Sequence, residues 1–175
     1  VSQYNLNNFK IIEKTQAFYS NIRKTYEDYA DDLRSENPKM LLDFDDYVQV
    51  LLKEVKNITD NVLVEIQNVL ILAHNEGAYV VNGEQDKIDY GKLLDSVRDS
   101  QALLKTSSGV ISDSITAMGV FKDEFKKDEV DGEVGIIVAT RIAVIGEDLL
   151  ASISDSNKSD IVVALEWLKA LSEDE

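Results

Sequence analysis

The 175-residue chain has no cysteine, one proline and one histidine. Without cysteine there is no disulfide framework, no thiol nucleophile and no thiolate metal site. A single imidazole, His74, excludes every site that needs two. The Glu-x-x-His pairs of di-metal carboxylate bundles and the His-Glu-x-x-His motif of zinc hydrolases both fall on that ground. With Pro38 and eight glycines, there is little turn chemistry for a many-stranded sandwich or barrel. Positive charge is scarce too. Eighteen Lys and Arg face 33 Asp and Glu, a net charge of −15, which argues against a nucleic-acid binder that works by neutralising phosphates. Long apolar runs are also missing: none reaches the roughly 18 residues a membrane-spanning helix needs. The best candidate, 134–146, contains Arg141 and reads as a buried core helix.

Catalytic templates fail one by one. No Gly-x-Gly-x-x-Gly and no Gly-Lys-Ser/Thr stretch is present to cradle phosphate. A calcium loop anchored on Asp131-Gly132 would place Lys127 at its first ligand position and Val138 at its last. No serine sits in a nucleophile-elbow sequence. His74 reads as a helix-end residue, where a cationic or hydrogen-bonding group suits the C-terminal carbonyls. The expectation is a protein that is not an enzyme and uses no cofactor and no metal.

What the chain does have is a seven-residue repeat of apolar positions, alternating three and four apart. It runs through Ile12, Thr15, Tyr19, Ile22, Tyr26, Tyr29 and Leu33. It resumes through Leu41, Phe44, Val48, Leu51, Val55, Ile58 and Val62, meets Glu65, and continues with Val69 and Leu72. A third run has Val97, Leu104, Ile111, Met118 and Phe125, with Leu94, Gln101, Ser108 and Ile115 between them. This spacing keeps one face of an α-helix apolar, whereas a strand would alternate at two. A fourth run, Val134, Val138, Ile142, Ile145, Leu149 and Ile153, precedes a polar break at Ser154–Ser159 and a short last helix with Ile161, Leu165, Leu168 and Leu171.

Residues 1–175 therefore read as one all-α domain, with helices near 5–35, 38–74, 91–127, 132–155 and 159–171. Asn37 before Pro38 gives an N-cap and a first-turn proline, so the first connection is short and its helices antiparallel. The architecture predicted is an elongated antiparallel up-down bundle of four long helices plus a short C-terminal helix. Between the second and third helices, Tyr79-Val80-Val81, Asn82-Gly83 and Ile88-Asp89-Tyr90 suggest a small β-ribbon in a long tip loop near 77–90. The loop is expected to exceed two residues, because Glu84 to Lys87 are all polar.

The excess negative charge is uneven. Residues 128–175 carry 3 − 12 = −9 of the total. Such a surface suits a basic protein partner through complementary potentials. The reading that follows is a non-enzymatic protein-binding bundle: an adaptor, an immunity or inhibitor-like module, or an assembly subunit, self-associating or heteromeric. Candidate partner-binding residues are Tyr79, Val80, Val81 and Tyr90 at the tip, and Asp128, Glu129, Asp131 and Glu133 before the fourth helix. Two alternatives stand beside it. One is a membrane-active or conformationally switching secreted protein, such as a pore-forming component, suggested by the Ser- and Gly-rich third helix from Thr106 to Phe121. The other is an extracytoplasmic bundle that senses a small ligand between helices. A membrane partner belongs only to the first alternative, and nucleic acid to none. The expected state is soluble, with a lean to export that the lack of cysteine permits.

Overall fold

A computed structural model describes residues 6, 9–36, 38–75, 79–81, 84–86, 88–127 and 132–174. Helix α1 is Ile11–Glu36, and α2 begins at Pro38 and runs to Asn57. A π-helical turn, Ile58–Leu63, leads without a break into α3, Val64–His74. Two short strands follow, β1 at Tyr79–Val81 and β2 at Glu84–Asp86, paired antiparallel with Tyr79 opposite Asp86. Val81 pairs with Glu84, so the ribbon closes sooner than the longer loop expected. Helix α4 is Tyr90–Lys126 and α5 is Glu133–Ser156. A second π-helical turn, Asn157–Ile161, carries the chain into α6, Val162–Glu173.

Local chemistry sets several of these ends. The Asp89 carboxylate accepts from the backbone N–H of Lys92 at 3.1 Å, capping α4. His74 closes α3 as an exposed residue in its last turn. Asn37, expected as the cap of the second helix, lies outside the described residues. Before α1, a backbone bond from Phe9 N to Leu6 O folds the chain back so that Phe9 is buried on the core.

Four rods result, arranged up-down-up-down. Tyr26 meets Asp45 across α1 and α2, Asn57 meets Ser107 across α2 and α4, and Gln101 meets Asn157 across α4 and the second π turn. Tyr29 and Arg141 join α1 to α5, the guanidinium lying 5.4 Å from the ring centroid while its Nη1 donates to the hydroxyl at 2.9 Å. Each rod thus has two antiparallel neighbours, and α1 and α4 stand on one diagonal. The long apolar stripes meet in the middle: Ile22, Phe44, Leu51, Ile58, Ile66, Ile111, Met118, Ile142, Leu149 and Ile161 are all fully enclosed. At one end Phe44 packs edge-on against Phe121 and Phe125, with centroids 5.4 and 5.9 Å away.

The polar break expected at Ser154–Ser159 does not end a helix. The π turn passes through it, and α6 continues α5 rather than forming a separate short rod. The physical reason lies in the spacing of buried residues. Within an α-helix the inward face recurs every seven residues, but Ile153 is followed on that face by Ile161, eight residues later. A π turn takes one residue more than an α turn, so it absorbs the eighth residue and keeps Ile161, Ala164 and Leu168 inward. The second rod does the same. Ile58 is followed by Ile66, again eight apart, and Leu70 and Ala73 continue the face. Glu65 and Leu72, placed on the stripe by a strict heptad, are therefore exposed and half-buried. Each turn carries a hydroxyl that bonds four residues back, Thr59 Oγ1 to Val55 O at 3.0 Å and Ser159 Oγ to Asp155 O at 2.7 Å, a bond that bends helices.

Small residues set how closely the rods approach. Ser100, Ser107 and Ser114, seven apart, are buried along α4. This row, not Gln101 and Ser108, complements the Val97–Phe125 stripe, since Gln101 and Ser108 are only half-buried. Gly135 lies under the Phe125 ring and Gly146 under Ile115, where a side chain would collide.

Candidate binding surface

The residues expected to contact a partner do not converge. Tyr79, Val80 and Val81 form β1, and Tyr90 opens α4, half-buried against the core. Glu133 is exposed in the first turn of α5, beyond the far end of α4. The 37 residues of α4 span about 55 Å at 1.5 Å each, so Tyr90 and Glu133 cannot share one contact patch. Asp128, Glu129 and Asp131 lie outside the described residues.

A different surface is more coherent. Along the seam between α2 and α4, large apolar side chains remain open to solvent. Tyr47 and Val50 on α2 are each 45 % exposed, and Leu103 and Val120 on α4 are 58 % and 57 % exposed. Leu103, Val110 and Ala117 are seven apart and so share one side of α4, with Val110 and Ala117 half-buried. The Tyr47 ring packs edge-on to Phe121 with centroids 5.4 Å apart, which brings the two rows together. Farther along, Asn57 Nδ2 donates to Ser107 Oγ at 3.3 Å, fixing the seam one turn from Leu103. From Leu103 to Val120 the row covers about 26 Å of helix.

Charge around this row is predominantly negative. Residues three or four positions from its members include the carboxylates of Asp43, Asp46, Glu54, Asp99, Asp113, Asp123 and Glu124. Lys53 is the one cation at those spacings. Six of the seven carboxylates are exposed, and Glu54 is partly so. Glu124 has an exposed partner in Lys127 at 3.5 Å, a pair of the kind that contributes little in water.

Among the described residues, no group of three or more His, Asp or Glu side chains could hold a metal ion. No helix there is long and apolar enough to cross a membrane. The charged pairs that are described, such as Arg23 with Glu27 at 2.8 Å, lie one turn apart on single helices and are open to solvent. The Glu27 carboxylate, by hydrogen bond and charge, raises the Arg23 pKa above its ordinary value, leaving a cation that was already permanent.

The seam escaped the sequence reading because it is a second row beside the first. Leu103-Leu104, Val110-Ile111 and Ala117-Met118 are apolar doublets at intervals of seven. One member of each doublet fills the core, and the other faces outward along the seam. Neither a family model, nor a curated protein, nor a solved structure matches the chain.

Proposed function

We propose that this bundle is a non-enzymatic protein-binding module, and that its α2–α4 seam receives a basic amphipathic helix from a partner. The observation that carries this reading is the juxtaposition of an exposed apolar row with seven flanking carboxylates and one lysine. An isolated exposed leucine or valine is ordinary on a protein surface, but a row of them rimmed mainly by carboxylates is not. An amphipathic helix presents apolar anchors at i, i+3, i+4 and i+7, a length and spacing that match Leu103 to Val120. Lysine or arginine beside those anchors would meet Asp43, Asp46, Asp113 and Asp123, speeding encounter and fixing orientation.

The test uses two synthetic helices of equal charge. One carries leucines on a single stripe flanked by lysines, and the other has the same residues with the stripe scrambled. Fluorescence titration of the wild-type protein should show the striped peptide binding at least about ten-fold more tightly than the scrambled one, as desolvated apolar anchors require. The double variant Val50→Asp/Val120→Asp should remove that preference. Equal affinity for both peptides, or a preference unchanged in the double variant, would refute the seam as a docking site.

A further inference from the structure

The opposite flank of α4 differs in chemistry from the seam. Between α4 and α5, ending at the second π turn, runs a groove of about 700 Å³, within the range of small-ligand sites. In a chain of net charge −15, no carboxylate lines it. Arg98 and Lys105 stand seven apart on one rim, hence on the same side of α4 and about 10 Å apart along its axis. Lys105 has no ion pair among the described residues, and Arg98 has only an exposed 3.9 Å contact with Asp95.

The groove changes character along its length. At the Arg98 end, Gln101 Nε2 donates to Asn157 Oδ1 at 2.6 Å, a polar wall. Toward the other end the nearly enclosed Leu104 and Ile153 form the floor beside half-buried Leu150, the rims carry Ser108 and Ser112 on α4 and Ser154 on α5, and the α4 side is kept low by Gly109. Packing does not demand that glycine: a Cβ there would meet nothing within 4 Å. Glycine in a helix interior costs about 1 kcal/mol relative to alanine, and at 109 it leaves the groove open where a side chain would narrow it.

We infer that the α4–α5 groove binds an unbranched carboxylate amphiphile, its head group held by Arg98 and Lys105 and its chain lying over Gly109 against Leu104, Leu150 and Ile153. A nucleotide fits poorly, because no aromatic ring lines the groove to stack on a base. A cationic amphiphile would meet two like charges. A neutral one would gain no charge-assisted bond from either cation.

Isothermal titration with laurate, kept below its micelle-forming concentration, tests this on the whole chain. One laurate should bind per molecule, and dodecanol should bind about ten-fold more weakly or worse for want of charge-assisted contacts. Arg98→Gln/Lys105→Gln should bring laurate down to the dodecanol level. Gly109→Leu fills the groove from a position with open space around its Cβ, and should abolish binding while the protein unfolds no earlier on heating. Lys24→Gln, on the exposed face of α1, should leave binding unchanged. The inference is overturned if laurate does not bind, if dodecanol binds as well, or if either groove variant binds laurate like the wild type. These outcomes are independent of the peptide titration, which reads the other flank of α4.

Discussion

Deleting Asp60 should leave the bundle folded, whereas deleting Gln49 should not. Both residues are exposed on the second rod, eleven positions apart. Asp60 lies in the six-residue π turn Ile58–Leu63, which holds one residue more than an α-helical path needs. With Asp60 gone, Ile58, Ile66 and Ala73 stand seven apart, and a plain α-helix keeps all three inward. Gln49 has no such surplus around it. Its loss turns the following residues by about 100° relative to those before. Even if the π turn relaxed and restored the face from Ile66 onward, Leu51, Val55 and Ile58 would leave the core. All three are fully buried. At about 1.5–3 kcal/mol per side chain, that is about 5–9 kcal/mol, against a typical domain stability of about 5–15 kcal/mol.

Urea denaturation followed by circular dichroism separates the cases. The Asp60 deletion should unfold cooperatively within about 1 kcal/mol of wild type, in the range of ordinary surface changes. The Gln49 deletion should lose its cooperative transition or unfold at far lower urea. Equal destabilisation by the two deletions would mean that the π turn is not absorbing a residue, and the account of both eight-residue spacings would fail.

The remaining predictions concern packing. Gly109→Ala and Gly119→Ala, where a Cβ meets nothing within 4 Å, should each raise stability by up to about 1 kcal/mol through helix propensity. Gly135→Ala should lower it by about 1–3 kcal/mol, because its Cβ would stand 2.5 Å from Cε1 of the enclosed Phe125 ring. Gly146→Ala should fall between, since the obstacle is the Ile115 side chain at 2.8 Å, which is only half-buried and can turn. Thr140 Oγ1 is buried without a hydrogen-bond partner among the described residues, so Thr140→Val should stabilise by about 1 kcal/mol in the same urea assay. Phe44→Ala should cost about 3–5 kcal/mol, because that fully buried ring touches Tyr26, Phe121 and Phe125.

The four-rod architecture was legible because amphipathic stripes of 3.5-residue period admit few other packings. The seven-spaced Val97, Leu104, Ile111, Met118 and Phe125 are all buried. What was hidden has specific causes. Ser100, Ser107 and Ser114 line the inside of α4 as space-fillers, and serine does not register in a count of apolar positions. The π turns were visible only as anomalies, a glutamate on the stripe and a polar interruption, which a strict heptad reads as an intruder and a break. Recognising an eight-residue step explains both with one device. The stripe picked Leu51 and Leu104 correctly, but their neighbours differ: Leu52 is buried and Leu103 is 58 % exposed. Whether the off-stripe leucine is covered depends on the neighbouring rods, and that is tertiary information.

Helix α4 is where structure and proposed function join. It packs against α2, α3, α5 and α6, so its inward face is fixed by the core. A helix has room for more than one face, and the two flanks of α4 are free to diverge. Toward α2 it offers Leu103, Val110, Ala117 and Val120 among carboxylates. Toward α5 it offers Arg98 and Lys105 with no carboxylate in the groove. On the two proposals above, one helix would carry two surfaces of different chemical selectivity, the seam for a basic helix and the groove for an anion. Because the rod is shared, a ligand that shifts α5 against α4 would move Phe125 over Gly135, and Phe125 packs on Phe44 at the base of the seam. Coupling then takes a measurable form: laurate should change the affinity for the striped peptide, and the peptide should change the affinity for laurate by the same factor. If both ligands bind and neither alters the other, α4 is a scaffold for two independent sites.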